Sequence, residues 1–212
     1  MGINSGELNS WAASLKLKRC SKKGQIEYNL TEFVGRNVWR RLKMLKKTLE
    51  DYRQGATGAL MDEYERAAFE LKFILQNVSE EDYTRIADAK TENEDCRSIQ
   101  TIMNHVVRAG YGYADYIREQ FSMKVKPFEN RWFAHQEIGG KIDKMLAYTI
   151  ETFDGNWELS DEEMNKIVIH SAENFTETLE QLLEHAIVHV LRHRRQIDKF
   201  LLKFDTLKPA VK

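Results

Sequence analysis

The sequence from Ser171 to Phe204 reads SAENFTETLEQLLEHAIVHVLRHRRQIDKFLLKF, and its spacing decides the fold. Apolar residues and histidines recur in it at steps of three and four, which places them on one side of a single helix. The residues on this side are Phe175, Leu179, Leu182, Ala186, His189, His193, Ile197 and Phe200. The pattern predicts one long amphipathic helix from about Ser171 to Phe204.

Three earlier segments have the same spacing and predict three further long helices. They run from about Thr57 to Val78, from Ser98 to Phe121 and from Trp132 to Phe153. The chain has only two prolines and eleven glycines in 212 residues, a composition that favours long helices over strands. The expected fold is all-α, an up-down four-helix bundle. Gly110 and Gly112 each weaken the second helix by about 1 kcal/mol relative to alanine, which predicts a close packing contact there.

The N-terminal part of the chain is basic and the remainder is acidic. Up to Gly55 there are twelve Lys or Arg against five Asp or Glu, and after it twenty against twenty-eight. An additional amphipathic helix is predicted there from Val34, Val38, Leu42, Leu45, Leu49 and Tyr52. We therefore divide the chain into a basic N-terminal extension (1–56), the bundle (57–205) and a C-terminal tail (206–212). The apolar stripe of the extension would dock on the bundle or on a second copy of the chain, as a homodimer.

Several classes of protein are excluded or disfavoured by the sequence. Cys20 and Cys96 form no CxxC pair, and no signal peptide or run of eighteen apolar residues occurs, so a cytoplasmic protein without a membrane segment is expected. No histidine has Glu three residues before it, which argues against a ferritin-like di-iron bundle. The HExxH protease motif and the phosphate-binding glycine loop are absent as well.

The histidines are the strongest candidates for chemistry. His185, His189 and His193 are spaced four apart, so neighbouring members share a helical face and can hold one ion. The outer two are about 12 Å apart along the axis, too far to share an ion on a regular helix. Spacing alone does not choose between the pair His185 with His189 and the pair His189 with His193. His105, on the apolar stripe of the second helix, is the natural third ligand, although solvated or hydrogen-bonded polar histidines would explain the same pattern.

The stretches Ser98 to Val107 and His189 to Ile197, which contain three of these histidines, resemble two motifs of the DinB (DinB/YfiT-like) family of bacterial metal-binding four-helix proteins. The stretch from Ser98 to Val107, SIQTIMNHVV, resembles the segment in which a helix starts with Ser-Ile and presents a metal-binding histidine about seven residues later. The stretch from His189 to Ile197, HVLRHRRQI, is similar to the terminal HxxxHRxQ signature. The resemblance spans about Leu60 to Phe204 and departs at Arg195, where many members have glycine. A long side chain there would either alter access to the site or point outward.

The resemblance implies that His105, His189 and His193 bind one divalent transition metal, with His185 outside the set of ligands. Zinc is the expected ion, and nickel, iron(II) and manganese are alternatives. The family includes enzymes that transfer low-molecular-weight thiols to electrophiles, so a metal-dependent transferase or hydrolase acting on a small molecule is expected. His185, Tyr113 and Gln196 are candidate substrate-side or supporting residues.

A second function remains open at this stage. The chain would then be a stress-related, non-enzymatic binding module whose metal is structural. Its basic extension would contact nucleic acid or a partner protein. The residues concerned are Arg36, Arg40, Arg41, Lys43, Lys46 and Lys47.

Overall fold

The computed structural model describes residues 48–129, 131–171 and 175–207, with the side chains of 206 and 207 left out. Four long helices form the bundle: α1 (Gly55–Leu75), α3 (Ile99–Gln120), α4 (His135–Thr152) and α6 (Leu179–Leu207). Two short helices lie between them, α2 (Glu80–Thr84) and α5 (Asp161–Lys166), and single 3-10 turns span Leu49–Asp51 and Glu94–Cys96. The all-α fold expected from the sequence is confirmed.

The helices begin where side chains can satisfy their free N–H groups. The Ser98 hydroxyl accepts from the backbone N–H of Thr101, and the Thr101 hydroxyl accepts in return from Ser98 N–H, which fixes the first turn of α3. Ser79 caps α2 by accepting from Asp82 N–H, and Ser160 caps α5 reciprocally with Glu163. The cap at Ser98 sets the position of His105, because it fixes where α3 starts.

A small two-stranded sheet precedes the last helix and corrects the sequence prediction. Strand β1 (Val168–His170) pairs antiparallel with β2 (Thr176–Thr178), and α6 starts only at Leu179, not near Ser171. Thr178 N–H donates to the Gln181 side chain and the Thr178 hydroxyl accepts from Gln181 N–H, so this reciprocal cap defines the start of the helix. Phe175, predicted on the helical stripe, lies outside the helix.

The core lies between the four long helices and receives buried apolar residues from each of them. Helices α1 and α3 each pack against both α4 and α6, which places α1 diagonally opposite α3. The buried residues include Met61, Tyr64, Leu71, Ile102, Val106, Ile142, Met145, Leu182, Val190 and Ile197. Ion pairs between Glu70 and Arg194 and between Lys72 and Asp143 join α1 to α6 and to α4 at the surface.

The two glycines of α3 have different surroundings. A Cβ added at Gly110 would overlap the Met145 Sδ and come within 3.0 Å of the Tyr64 hydroxyl, so the predicted close contact is confirmed there. A Cβ at Gly112 would meet nothing within 4 Å of the described residues, and for this residue the prediction is wrong. Of these two glycines, Gly110 is the one that lets α3 approach Met145 of α4 closely.

Two predictions about the N-terminal part lie wholly or largely outside the described residues. The basic side chains assigned to a nucleic-acid or partner contact, and the helix predicted from Val34 as far as residue 47, precede the described part of the chain. At the end of that predicted helix the structure has a 3-10 turn, Leu49–Asp51, and the stripe residues Leu49 and Tyr52 are exposed. Separately, no helix within the described ranges is long and apolar enough to cross a lipid bilayer.

Candidate metal centre

Three histidines from two helices meet inside the bundle. His105 on α3 places its Nε2 2.9 Å from the Nε2 of His189 on α6. His193, one turn further along α6, places its Nε2 3.2 Å from the same atom. The candidate ligand atoms of the three residues all lie within 4.8 Å of one another. The structure therefore brings together the three residues that the resemblance implied.

Polar side chains contact the outer nitrogen of two of these rings. His105 Nδ1 lies 3.2 Å from the Asp95 carboxylate, which can only accept, and 3.4 Å from Arg108 Nη2, which can only donate; the nearer carboxylate favours the proton on this nitrogen. Arg108 donates to the same carboxylate oxygen at 2.6 Å and balances its charge. His193 Nδ1 lies 3.1 Å from the Gln196 amide oxygen and donates to it. In both rings the Nε2 lone pair is left facing the centre of the cluster.

Burial keeps two of the rings neutral. Removal from water lowers the pKa of His189 to about 3, and the neighbouring imidazoles of His193 and His105 lower it further. Burial also lowers the pKa of His193 to about 4, with His105 as the next largest cause. Near neutral pH these rings are unprotonated and have lone pairs available for an ion.

The donor set fits a divalent transition metal. His105 and His193 both present Nε2 acceptors, and a neutral His189 has at most one Nε2 proton, so the three rings cannot satisfy one another by hydrogen bonds alone. A cation held between the three nitrogens would satisfy all of them at once. Imidazole nitrogen suits zinc and the later first-row metals.

His185 stands next to this centre but does not join it. Its Nδ1 lies 3.0 Å and 3.2 Å from the two oxygens of Glu177 on β2. Its Nε2 lies 3.5 Å from the Tyr113 hydroxyl. The Tyr113 ring contacts both His185 and His189, at centroid distances of 5.3 Å and 5.8 Å. His185 and Tyr113 thus lie at the edge of the centre, whereas Gln196 supports a ring within it.

The remaining histidines and the departure at Arg195 lie apart from the centre. His135 Nε2 donates to the Leu75 carbonyl at the end of α1, at 3.0 Å. His170 on β1 contacts the Thr176 hydroxyl at 2.9 Å. Arg195 is exposed to solvent on α6.

Sequence reasoning missed two carboxylates that support the histidines. Asp95 belongs to a 3-10 turn ten residues before His105, and nothing in its spacing reveals the contact. Glu177 was assigned to the interior of the last helix, where it could not have reached His185. The Thr178 cap, visible as Thr-x-x-Gln, is the signal that would have placed Glu177 before the helix.

Comparisons with known proteins give one result. The sequence model of the DinB family matches residues 44–202, which is most of the 212-residue chain. The match begins upstream of Leu60, where the motif resemblance starts. No curated protein and no solved structure gives a significant match.

Proposed function

Because this chain belongs to the DinB family, we propose that it binds one divalent transition metal through His105, His189 and His193. We propose further that it transfers a low-molecular-weight thiol to a small electrophile, with hydrolysis of a small substrate as the alternative. The observation that carries the proposal is the convergence of three Nε2 atoms within 4.8 Å of one another. Zinc is the first candidate ion, followed by nickel, iron(II) and manganese.

The neighbouring residues support a reactive centre in place of a purely structural one. Three protein ligands leave coordination positions for a small molecule, whereas structural zinc sites are closed by four. When bound, a divalent ion lowers the pKa of a coordinated thiol or water and so supplies a nucleophile near neutral pH. Asp95 and Gln196 hold the rings of His105 and His193 by their Nδ1 protons, which orients both Nε2 atoms toward the common point.

Thiol transfer agrees with the setting expected from the sequence. A chain with only Cys20 and Cys96, neither in a CxxC pair, suits a reducing cytosol, which contains low-molecular-weight thiols. In thiol transfer and in hydrolysis the nucleophile must lose a proton beside the three histidines. Both reactions therefore require the chain to help deprotonate a nucleophile. They differ in whether that nucleophile is a thiol or water.

Elemental analysis of the full-length protein tests the metal. We expect about one zinc per chain in the wild type after incubation with zinc and gel filtration, and almost none in the double variant His189→Ala and His193→Ala. His185→Gln is the matched control on the same helix and should keep its zinc. Equal zinc in the wild type and the double variant would contradict the proposal, and loss from the control would mean that the wrong pair was chosen.

A reaction assay with the same proteins tests the chemistry. We expect zinc-loaded wild type to accelerate the reaction of N-acetylcysteine with monobromobimane, and the double variant to lose this acceleration. Hydrolysis of an activated ester by the wild type, without thiol transfer, would favour the alternative.

A further inference from the structure

We infer that His185 and Glu177 form a proton-transfer pair that takes the proton from a small thiol as the thiol enters the three-histidine centre beside Tyr113. The inference rests on the proposed function and adds a catalytic residue, His185, and a positioning residue, Glu177. Neither residue belongs to the set of candidate metal ligands. The pair brings together strand β2, which ends at Thr178, and the second turn of α6.

The orientation of the pair is that of an imidazole prepared to act as a base. Both Glu177 oxygens lie within hydrogen-bonding distance of His185 Nδ1, at 3.0 Å and 3.2 Å. A carboxylate only accepts, so the Nδ1 position carries the proton and the Nε2 lone pair is available. The negative charge of Glu177 also stabilises the imidazolium that forms when Nε2 takes a second proton.

The position of His185 links solvent to the centre. Its side chain is 33% exposed, and Glu177 behind it is 22% exposed, so the pair is reached from outside while its proton stays partly shielded from water. His185 precedes His189 by one helical turn, about 6 Å along the axis. The Tyr113 ring touches both imidazoles, so a molecule resting on this ring reaches His185 on one side and the centre on the other.

The Nε2 atom of His185 distinguishes this residue from a histidine that only supports the fold. His135 uses its Nε2 to bind the Leu75 carbonyl, which holds the start of α4 against the end of α1. Among the described residues, the polar neighbour of His185 Nε2 is the Tyr113 hydroxyl at 3.5 Å, at the outer limit of a hydrogen bond. A structural tie between strand and helix needs only Nδ1 and Glu177. Within residues 48–129, 131–171 and 175–207, the reactive nitrogen has no strong partner.

The proposed step conserves atoms and charge. The S–H proton of the thiol moves to His185 Nε2, and the electron pair of that bond remains on sulfur. The resulting thiolate forms a bond to the electrophilic carbon, whose leaving group departs with the electron pair of the broken bond. His185 then gives its proton to the leaving group or to water and regains its first state. Nδ1–H stays hydrogen-bonded to Glu177 throughout.

Nuclear magnetic resonance of full-length, zinc-loaded protein with labelled histidines tests the pair without requiring turnover. In the free protein we expect His185 to carry its proton on Nδ1. Saturation with N-acetylcysteine, the probe thiol, should protonate Nε2 as well. Glu177→Gln should keep the Nδ1 proton, because its amide oxygen still accepts, but lose the protonation by thiol. A His185 that carries its proton on Nε2, or stays neutral with thiol bound, would overturn the inference.

Kinetics with two histidine variants provide the second test. For N-acetylcysteine and monobromobimane, His185→Gln should lower kcat on the order of a hundredfold while KM and zinc content are retained. His170→Gln is the matched control, because His170 lies on the paired strand and its imidazole contacts the Thr176 hydroxyl. An unchanged kcat in His185→Gln would overturn the inference.

Zinc content measured on the same samples separates the two proposals. A wild type without zinc overturns the proposed function and this inference with it. A zinc-loaded wild type with an inert His185 overturns the inference alone. A protein that protonates His185 but forms no thioether supports the pair and contradicts thiol transfer.

Discussion

Two polar clusters lie on α3, about 20 Å apart along its axis. They differ in how their hydrogen-bond donors and acceptors are matched. At one end, the buried Arg118 donates to the Thr152 hydroxyl at 2.9 Å and to the carbonyls of Tyr148 and Lys124 at 3.1 Å and 3.2 Å. Glu151 lies 3.4 Å away and balances its charge. The guanidinium therefore finds its hydrogen-bond acceptors and its counter-charge within the protein itself.

The cluster at the other end brings three groups of the same kind together. His105, His189 and His193 direct three Nε2 atoms at one another, and at most one of these atoms carries a proton. Three imidazole nitrogens at one point form a donor set that a single divalent cation can share. The comparison teaches that burial of a polar group does not reveal its role, whereas the balance of donors and acceptors does.

Removal of Arg118 should have the largest effect on stability and none on metal content. Arg118→Ala removes a donor from the Thr152 hydroxyl and from the Lys124 and Tyr148 carbonyls, and of these acceptors the Tyr148 carbonyl keeps another donor, the Thr152 hydroxyl. We therefore expect a loss of about 3 kcal/mol in the free energy of unfolding. Urea denaturation measures this loss, and elemental analysis should still find the wild-type amount of zinc. A loss of under about 1 kcal/mol would show that the cluster is not the structural element described here.

Acid should destabilise the histidine cluster of the metal-free protein by a smaller amount. The pKa values of His189 and His193 in the folded chain are about 3 and about 4, against about 6.5 in an unfolded chain. The unfolded state therefore takes up protons first as the pH falls. The contribution to stability is complete above about pH 6.5 and is lost between there and about pH 3. We expect a loss of about 2 kcal/mol, because a protonated cluster can open to water.

Urea denaturation of metal-free protein at a series of pH values measures this effect. The double variant His189→Ala and His193→Ala is the control, since it lacks both groups. The difference between wild type and variant should shrink as the pH falls from about 6.5 to about 4. A constant difference would contradict the description of the rings as buried and neutral.

Loss of the Asp95 carboxylate should have the smallest of these effects. Asp95→Ala releases the Nδ1 proton of His105, so the ring is no longer held toward the centre, and zinc affinity should fall about tenfold. Competition with a chromophoric chelator measures the affinity. Glu94→Ala is the matched control, because that neighbouring side chain is 81% exposed and pairs with Arg97. Equal affinities in the two variants would remove Asp95 from the support of the centre.

The helices were predictable because each has its own periodic apolar stripe. Ile102, Val106 and the other stripe residues of α3 are buried as the spacing predicts, and the partly buried His105 lies among them. Periodicity shows which face of a helix is buried but not which helix it meets, so the diagonal placement of α1 and α3 could not be predicted. The choice of His193 over His185 came from the resemblance and not from the spacing.

The missed features depend on contacts between parts of the chain that periodicity does not connect. Phe175 fits the helical stripe by its spacing, but pairing of β2 with β1 and the cap at Thr178 outweigh that pattern. Asp95 reaches His105 because the 3-10 turn leads the chain back across the first turns of α3. Local propensity contains no information about such a return.

The contact between Gly110 and Met145 links the packing of α3 against α4 to the three-histidine centre. It fits α3 closely against α4, and the direction of the His105 imidazole depends on how α3 is rotated about its own axis. The thioether of Met145 is flexible enough to adjust by small amounts. Substitutions at the contact between Gly110 and Met145 could therefore change the distance between α3 and α6, the helices that carry the three histidines. None of the three histidines would have to be replaced.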